Sequence, residues 1–121
     1  MIAPAAADAA LLTATRTGGV AGVQDRVDIR ADGTGTRTDR AHHRVALPAR
    51  ETRAARSALA QARFGALKSV YAPPDGVQVS DGFTIVLTSN GHQVTVQQGT
   101  EDVPARLRRL LTAVAALFDA G

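Results

Sequence analysis

The chain has 121 residues, 45% of them hydrophobic and 21% charged, with a formal net charge of +3. That length makes one domain, able to bury roughly two-thirds of its unfolded surface, and the composition is globular rather than disordered. The absence of cysteine excludes a disulfide framework and a thiolate metal site, and no apolar run reaches the roughly 18 residues of a membrane-spanning helix.

Residues 1–10, opening Met-Ile-Ala-Pro-Ala-Ala-Ala-Asp, lack the basic start and apolar run of a signal peptide. They read as a flexible tail ahead of one domain over 11–121, and the expected location is cytoplasmic, with export by another route left open. Leu11 to Thr15 is a short apolar-rich run. Val23 to Arg30 follows, with Val23, Val27 and Ile29 at one parity and Asp25 interrupting them, the pattern of a strand with one buried face. The two runs predict an antiparallel pair. Between them stands Arg16-Thr17-Gly18-Gly19-Val20-Ala21-Gly22. Each glycine in regular structure costs roughly 0.5–1 kcal/mol relative to alanine, so three in five positions imply a sharp turn or a close backbone approach. The connection Thr17–Gly22 exceeds a two-residue hairpin turn and should project or carry a bulge.

Ala31-Asp32-Gly33 is a turn signal. Thr34 to Arg40 alternates Thr, Gly and Arg, which suits an exposed edge strand, and Ala41 to Pro48 reads as a loop. Ala49 to Phe64 is helical in pattern, with Ala55, Ala58, Leu59 and Ala62 on one stripe and Gly65 placed to end it. Leu67, Val70 and Tyr71 should tuck under the sheet before Pro73-Pro74-Asp75-Gly76 breaks the chain.

Phe83–Thr88 and His92–Gln97 flank Asn90-Gly91, the preferred pair for a type I′ turn. Counting outward pairs Leu87 with Val94 and Ile85 with Val96 on one face, and Thr88 with Gln93 on the other. Glu101 and Asp102 then offer negative charge to a helix start, and Pro104 is tolerated in a first turn. Leu107, Leu110, Leu111, Val114 and Phe118 recur at helical spacing. The fold expected is α+β: a two-layer sandwich, an antiparallel sheet of four to five strands with two helices packed on one face, in the order β-β-(β)-α-β-β-α.

No catalytic inventory emerges. His42 and His43 are adjacent and would diverge in a strand, and His92 sits beside a hairpin turn. Asp25 and Asp28 fall on opposite faces of a strand and read as solvated charge. No nucleophile-elbow, phosphate-loop or zinc-peptidase motif is present. Gly18, Gly19 and Gly22 do not follow the nucleotide-binding spacing. Neither catalytic residues, a metal site nor a cofactor is expected. Eight arginines fall between Arg30 and Arg63 against Asp32, Asp39 and Glu51, a basic segment that would attract phosphates; a solvated helix face with a charged edge strand accounts for the same residues.

The glycine stretch resembles the emfourin family, proteinaceous inhibitors of protealysin-like metallopeptidases of the thermolysin type. Members open with a strand, then Arg-Ser/Thr-Gly-Gly-Phe-Ala-Gly, then a second strand. Here Arg16, Thr17, Gly18, Gly19, Ala21 and Gly22 match, with Val20 where an aromatic is more usual. The similarity extends over most of residues 11–119, through the Pro-containing stretch before Phe83 and the Val103-Pro104-x-x-Leu107-x-x-Leu110-Leu111 helix opening. The linker Arg37–Arg50 is longer and more basic than the family pattern.

What this resemblance implies is a protein that does no chemistry and holds no metal. It would occlude the active-site cleft of a protealysin-like zinc peptidase, and such inhibitors and their targets usually lack a secretion signal. The implied binding residues are Arg16, Thr17, Gly18, Gly19, Val20, Ala21 and Gly22, with Val20 as a small apolar anchor and Arg16 as a polar contact. The alternative expectation is a basic nucleic-acid-binding or general protein-interaction domain.

Overall fold

The computed structural model describes residues 10–18, 23–39, 41, 43–72, 83–97, 100 and 103–118. The elements run β1 (Ala10–Gly18), β2 (Val23–Arg30), β3 (Gly35–Thr38), β4 (Arg44–Ala46), α1 (Ala49–Gln61), β5 (Val70–Tyr71), β6 (Phe83–Ser89), β7 (His92–Gln97) and α2 (Ala105–Phe118). The class is α+β, as expected from the sequence. The sheet is larger than expected: seven strands in the order β4-β3-β2-β1-β6-β7-β5. It is also mixed, because β5 joins β7 in parallel while every other pair is antiparallel.

The two extra strands are the short ones. Residues 44–46, expected as loop, pair with β3 through Arg37↔Val45 and its neighbours, so β3 is not the edge. Three residues give too little pattern for a period-2 signal. Val70 and Tyr71 add a two-residue edge strand beside β7, paired Val70↔Thr95 and Tyr71↔Val96. Tyr71 and Leu67 are buried, whereas Val70 is 56% exposed, the most exposed large hydrophobic among the described residues.

Parity along the strands assigns the faces. Leu12 and Ala14 on β1, Val27 and Ile29 on β2, Leu87 on β6, and Val94 and Val96 on β7 are buried, and the register sets them side by side: Leu12↔Ile29, Ala14↔Val27, Ala14↔Leu87, Leu87↔Val94. Both helices close over this face. Thr52, Ala55 and Leu59 of α1 and Leu107, Leu110, Val114, Leu117 and Phe118 of α2 are buried, and their apolar members share one core cluster with the strand residues. Each fully buried Leu, Val or Phe contributes about 1.5–3 kcal/mol. The opposite face carries Thr13, Thr15 and Thr17 on β1 beside Arg26 and Asp28 on β2. Asp28 accepts hydrogen bonds from Thr13 Oγ1 at 2.9 Å and Arg26 Nε at 3.0 Å.

The β6–β7 hairpin follows the expected register from Ser89↔His92 to Thr84↔Gln97, with φ of 50° at Asn90 and 80° at Gly91. The end of α1 differs from expectation. The helix stops at Gln61, Ala62 N–H bonds back to the Leu59 carbonyl, and Arg63 takes the left-handed turn at φ 49°. Gly65 lies within a single 3₁₀ turn, Phe64–Ala66, that buries Phe64. At the start of α2, Pro104 offers its carbonyl to Arg108 N–H at 2.9 Å. The tail residues 1–9, the segment from Pro73 to Gly76, and Glu101 and Asp102 lie outside the described residues.

Candidate functional site

The glycine-rich connection joins the end of β1 to the start of β2. Pairing continues to Gly18↔Val23 on one side and Gly18↔Phe83 on the other, so the link is the four residues 19–22, shorter than the expected Thr17–Gly22. Gly19, Val20, Ala21 and Gly22 lie outside the described residues. Gly18 takes φ 111°, a backbone angle that a side chain at this position would strain. A separate bulge lies at the far end of the pair, where Leu11 is the extra residue between Ala10↔Arg30 and Leu12↔Ile29.

Arg16, Thr17 and Gly18 form the root of that connection, and the pleat sends neighbouring side chains to opposite faces. Thr17 is exposed on the helix-free face. Arg16 points to the helix-bearing face, opposite Asp25 on β2 and Ile85 on β6. Its Nη2 donates to Asp25 Oδ2 at 2.8 Å, with side-chain exposures of 21% for Arg16 and 13% for Asp25. The guanidinium carbon also lies 4.7 Å from the ring centre of Phe118 and 5.4 Å from that of Phe83. Cation–π contacts of this kind contribute about 0.5–2 kcal/mol, more when desolvated. Arg16 is thus largely engaged within the fold, and the three residues matching the motif in the described region divide between an internal anchor and an outer rim.

Arg37 reinforces the same corner. It pairs with Val27 on the helix-bearing side, and its Nη1 donates to the Phe118 carbonyl at 2.9 Å. That meets a carbonyl left open at a helix C-terminus and sets a positive charge against the negative end of the helix dipole. Asp25 is not the solvated charge its sequence position suggests. Asp25 and Asp28 do fall on opposite faces, but Asp25 is mostly buried and paired. The signal was present in its parity with Val23, Val27 and Ile29, because a carboxylate on a buried stripe requires a cation. Phe83, Arg37 and Phe118 carry no comparable local signal for this corner.

His92 and His43 have local structural roles. His92 Nε2 donates to the Leu67 carbonyl at 2.8 Å, and its ring meets Phe64 edge-on at 5.6 Å. His43 N–H donates to Asp39 Oδ1 at 2.8 Å, and its Nδ1 lies 3.3 Å from Asp39 Oδ2; that backbone hydrogen bond is the main reason the Asp39 carboxyl lies below its usual pKa of 3.8. His42 lies outside the described residues. Among the described residues no three His, Asp or Glu side chains gather where they could hold a metal ion.

Beside the loop root, on the flank of α2, a hollow of about 300 Å³ is lined by Phe83, Ile85, Val96, Val103 and Leu111 with Arg16 and Arg108 at its wall. Because Phe83 pairs with Gly18, this apolar hollow and the glycine connection share one end of the sheet. Compared with known proteins, the chain matches no family model, no curated protein sequence and no solved structure.

Proposed function

We propose that the protein inhibits a protealysin-like zinc metallopeptidase by placing the connection 16–22 in or across the active-site cleft, and that it does no chemistry and binds no metal of its own. The resemblance of Arg16-Thr17-Gly18-Gly19-Val20-Ala21-Gly22 to the emfourin motif motivates this reading. The observation that carries it physically is the root: a four-residue link stands on a strand pair locked by the Arg16–Asp25 ion pair and by Arg16 stacked on Phe118. A connection whose root is fixed before binding has less conformational entropy to lose on docking, and protease–inhibitor pairs dock with little backbone movement.

In this reading Val20 is the apolar anchor, Thr17 and the glycines offer backbone at the rim, and Arg16 acts from behind by fixing the root. A standard interface, on the order of 1,600 Å² in total, extends beyond seven residues, and the apolar hollow under Phe83 lies where such an interface would spread. The test is titration against a protealysin-like peptidase cleaving a small peptide substrate. Stoichiometric loss of activity is expected; full activity at large molar excess over several such peptidases overturns the reading.

A second reading, a nucleic-acid-binding or general interaction domain, is favoured by one observation: Arg50, Arg53 and Arg56 are all exposed on α1. Retention on DNA or RNA that weakens steeply with salt would favour it.

A further inference from the structure

At the opposite end of β1 from the glycine connection, a hollow of about 590 Å³ opens between α1 and the β6–β7 turn. Seven residues at ~3.3 Å each put it about 23 Å from Gly18. Its volume lies within the range of small-molecule sites. The floor is apolar: Leu59 and Phe64 come from the helical layer and Leu11 from β1. Leu11 is the bulged residue, and the insertion lets it pack against the same core as its neighbour Leu12, where strict alternation would have turned it away.

Polar groups at the back of the hollow are already paired. Ser89 Oγ donates to the Leu11 carbonyl at 2.7 Å, and His92 donates to the Leu67 carbonyl. The rim differs. Arg53, Ser57 and Asn90 line it, and none of their side chains makes a hydrogen bond or ion pair with another described residue. Arg56 also lines the rim, its Nη1 3.0 Å from where a Cβ on Gly33 would stand, within electrostatic reach of Asp32. An apolar floor beneath an uncommitted guanidinium, a hydroxyl and a carboxamide complements a molecule with one anionic end and a greasy body.

We propose that this hollow binds a small carboxylate with an apolar body, its carboxylate on Arg53 with Ser57 and Asn90 and its hydrocarbon on Leu11, Leu59 and Phe64. Arg56 adds positive potential from the side. The site is independent of the inhibitor reading and stands whether or not that reading holds.

The test is a titration of the full chain with decanoate below its micelle-forming concentration, followed by amide chemical shifts, with decanol as the uncharged control. Expected are saturable shifts centred on Leu11, Leu59, Phe64 and Asn90, and much weaker ones with decanol. The Arg53→Gln/Arg56→Gln variant should bind about tenfold more weakly, the loss of roughly one charge-assisted hydrogen bond. Ala60→Phe, which fills the hollow from α1 without touching a charge, should abolish the response, and it carries the test should the arginine variant fold poorly. Non-saturating shifts, an equal response to decanol, shifts centred elsewhere, or undiminished binding by the folded variants would each overturn the proposal.

Discussion

The Arg16 guanidinium stacks 4.7 Å from the centre of the Phe118 ring, joining the loop-proximal end of β1 to the last turn of α2. The contact links a residue of the candidate binding motif to one 102 positions later in the chain. Through it, the last turn of the C-terminal helix supports the root of the glycine connection, while Asp25 supplies the neutralising charge.

That arrangement predicts strong coupling between Arg16 and Asp25. Arg16→Ala should destabilise the protein by about 2–3 kcal/mol, less than a fully enclosed pair would lose because both side chains keep some exposure. Asp25→Ala should cost about 2 kcal/mol. The double variant should lose less than the two together, with a coupling of about 1–2 kcal/mol. Urea denaturation of the four proteins measures this, and simple additivity would show that the pair does not act as a unit.

Inhibition should separate from stability at Val20. A Val20→Asp variant should keep the melting temperature of the parent and inhibit a protealysin-like peptidase at least about tenfold more weakly, since an anchor made charged must be desolvated on docking. Undiminished inhibition by the folded variant would remove Val20 from the contact.

Packing under the start of α1 should be intolerant at Gly35. A Cβ there would stand 3.1 Å from Leu47 Cδ1, 3.2 Å from Thr52 Oγ1 and 3.4 Å from the Asp28 carbonyl. Gly35→Ala should therefore destabilise by about 1–3 kcal/mol through overpacking. Gly65→Ala, with no atom within 4 Å of the added methyl, should be neutral or stabilise by up to about 1 kcal/mol. Thermal melts of the two variants should move in opposite directions or differ clearly in size.

The β2–β3 turn should respond to acid through Asp32. Thr34 donates to Asp32 Oδ1 from its hydroxyl at 2.6 Å and its N–H at 2.9 Å. These bonds, with the nearby charges of Arg30 and Arg56, hold the carboxyl below its ordinary pKa of 3.8. Because the folded pKa is the lower one, the associated stabilisation is present above the unfolded value and disappears as pH falls through the folded value. Carboxyl-detected titration should show an Asp32 midpoint below 3.8, and Thr34→Ala should move it upward. An unchanged midpoint would discount the threonine.

Much of this molecule was legible in short stretches of chain. Asn90-Gly91 and the alternation around it specify the hairpin and its register, because two positive-φ residues and a period of two admit one pairing. Leu107, Leu110, Val114 and Phe118 specify α2 by helical spacing, although Leu117 is also fully buried. The strands β4 and β5 were not legible, since three and two residues carry no period and exist by leaning on β3 and β7. The end of α1 misled for a similar reason: Gly65 is the residue best suited to a left-handed turn, yet the burial of Phe64 moves that turn to Arg63.

By itself the sequence determined the α+β class, the principal strands and helices, and the glycine connection between β1 and β2, because backbone preference and hydrophobic period act over a few neighbouring residues. Only the tertiary structure decided what Arg16 does. The residues that follow it are a threonine and glycines expected to project or carry a bulge, whereas its partners Asp25, Phe83 and Phe118 arrive from β2, β6 and α2. An ion pair and two rings beneath a guanidinium depend on distances through space, which no local pattern encodes, and these make a strand residue at the root of the connection into the anchor that holds it.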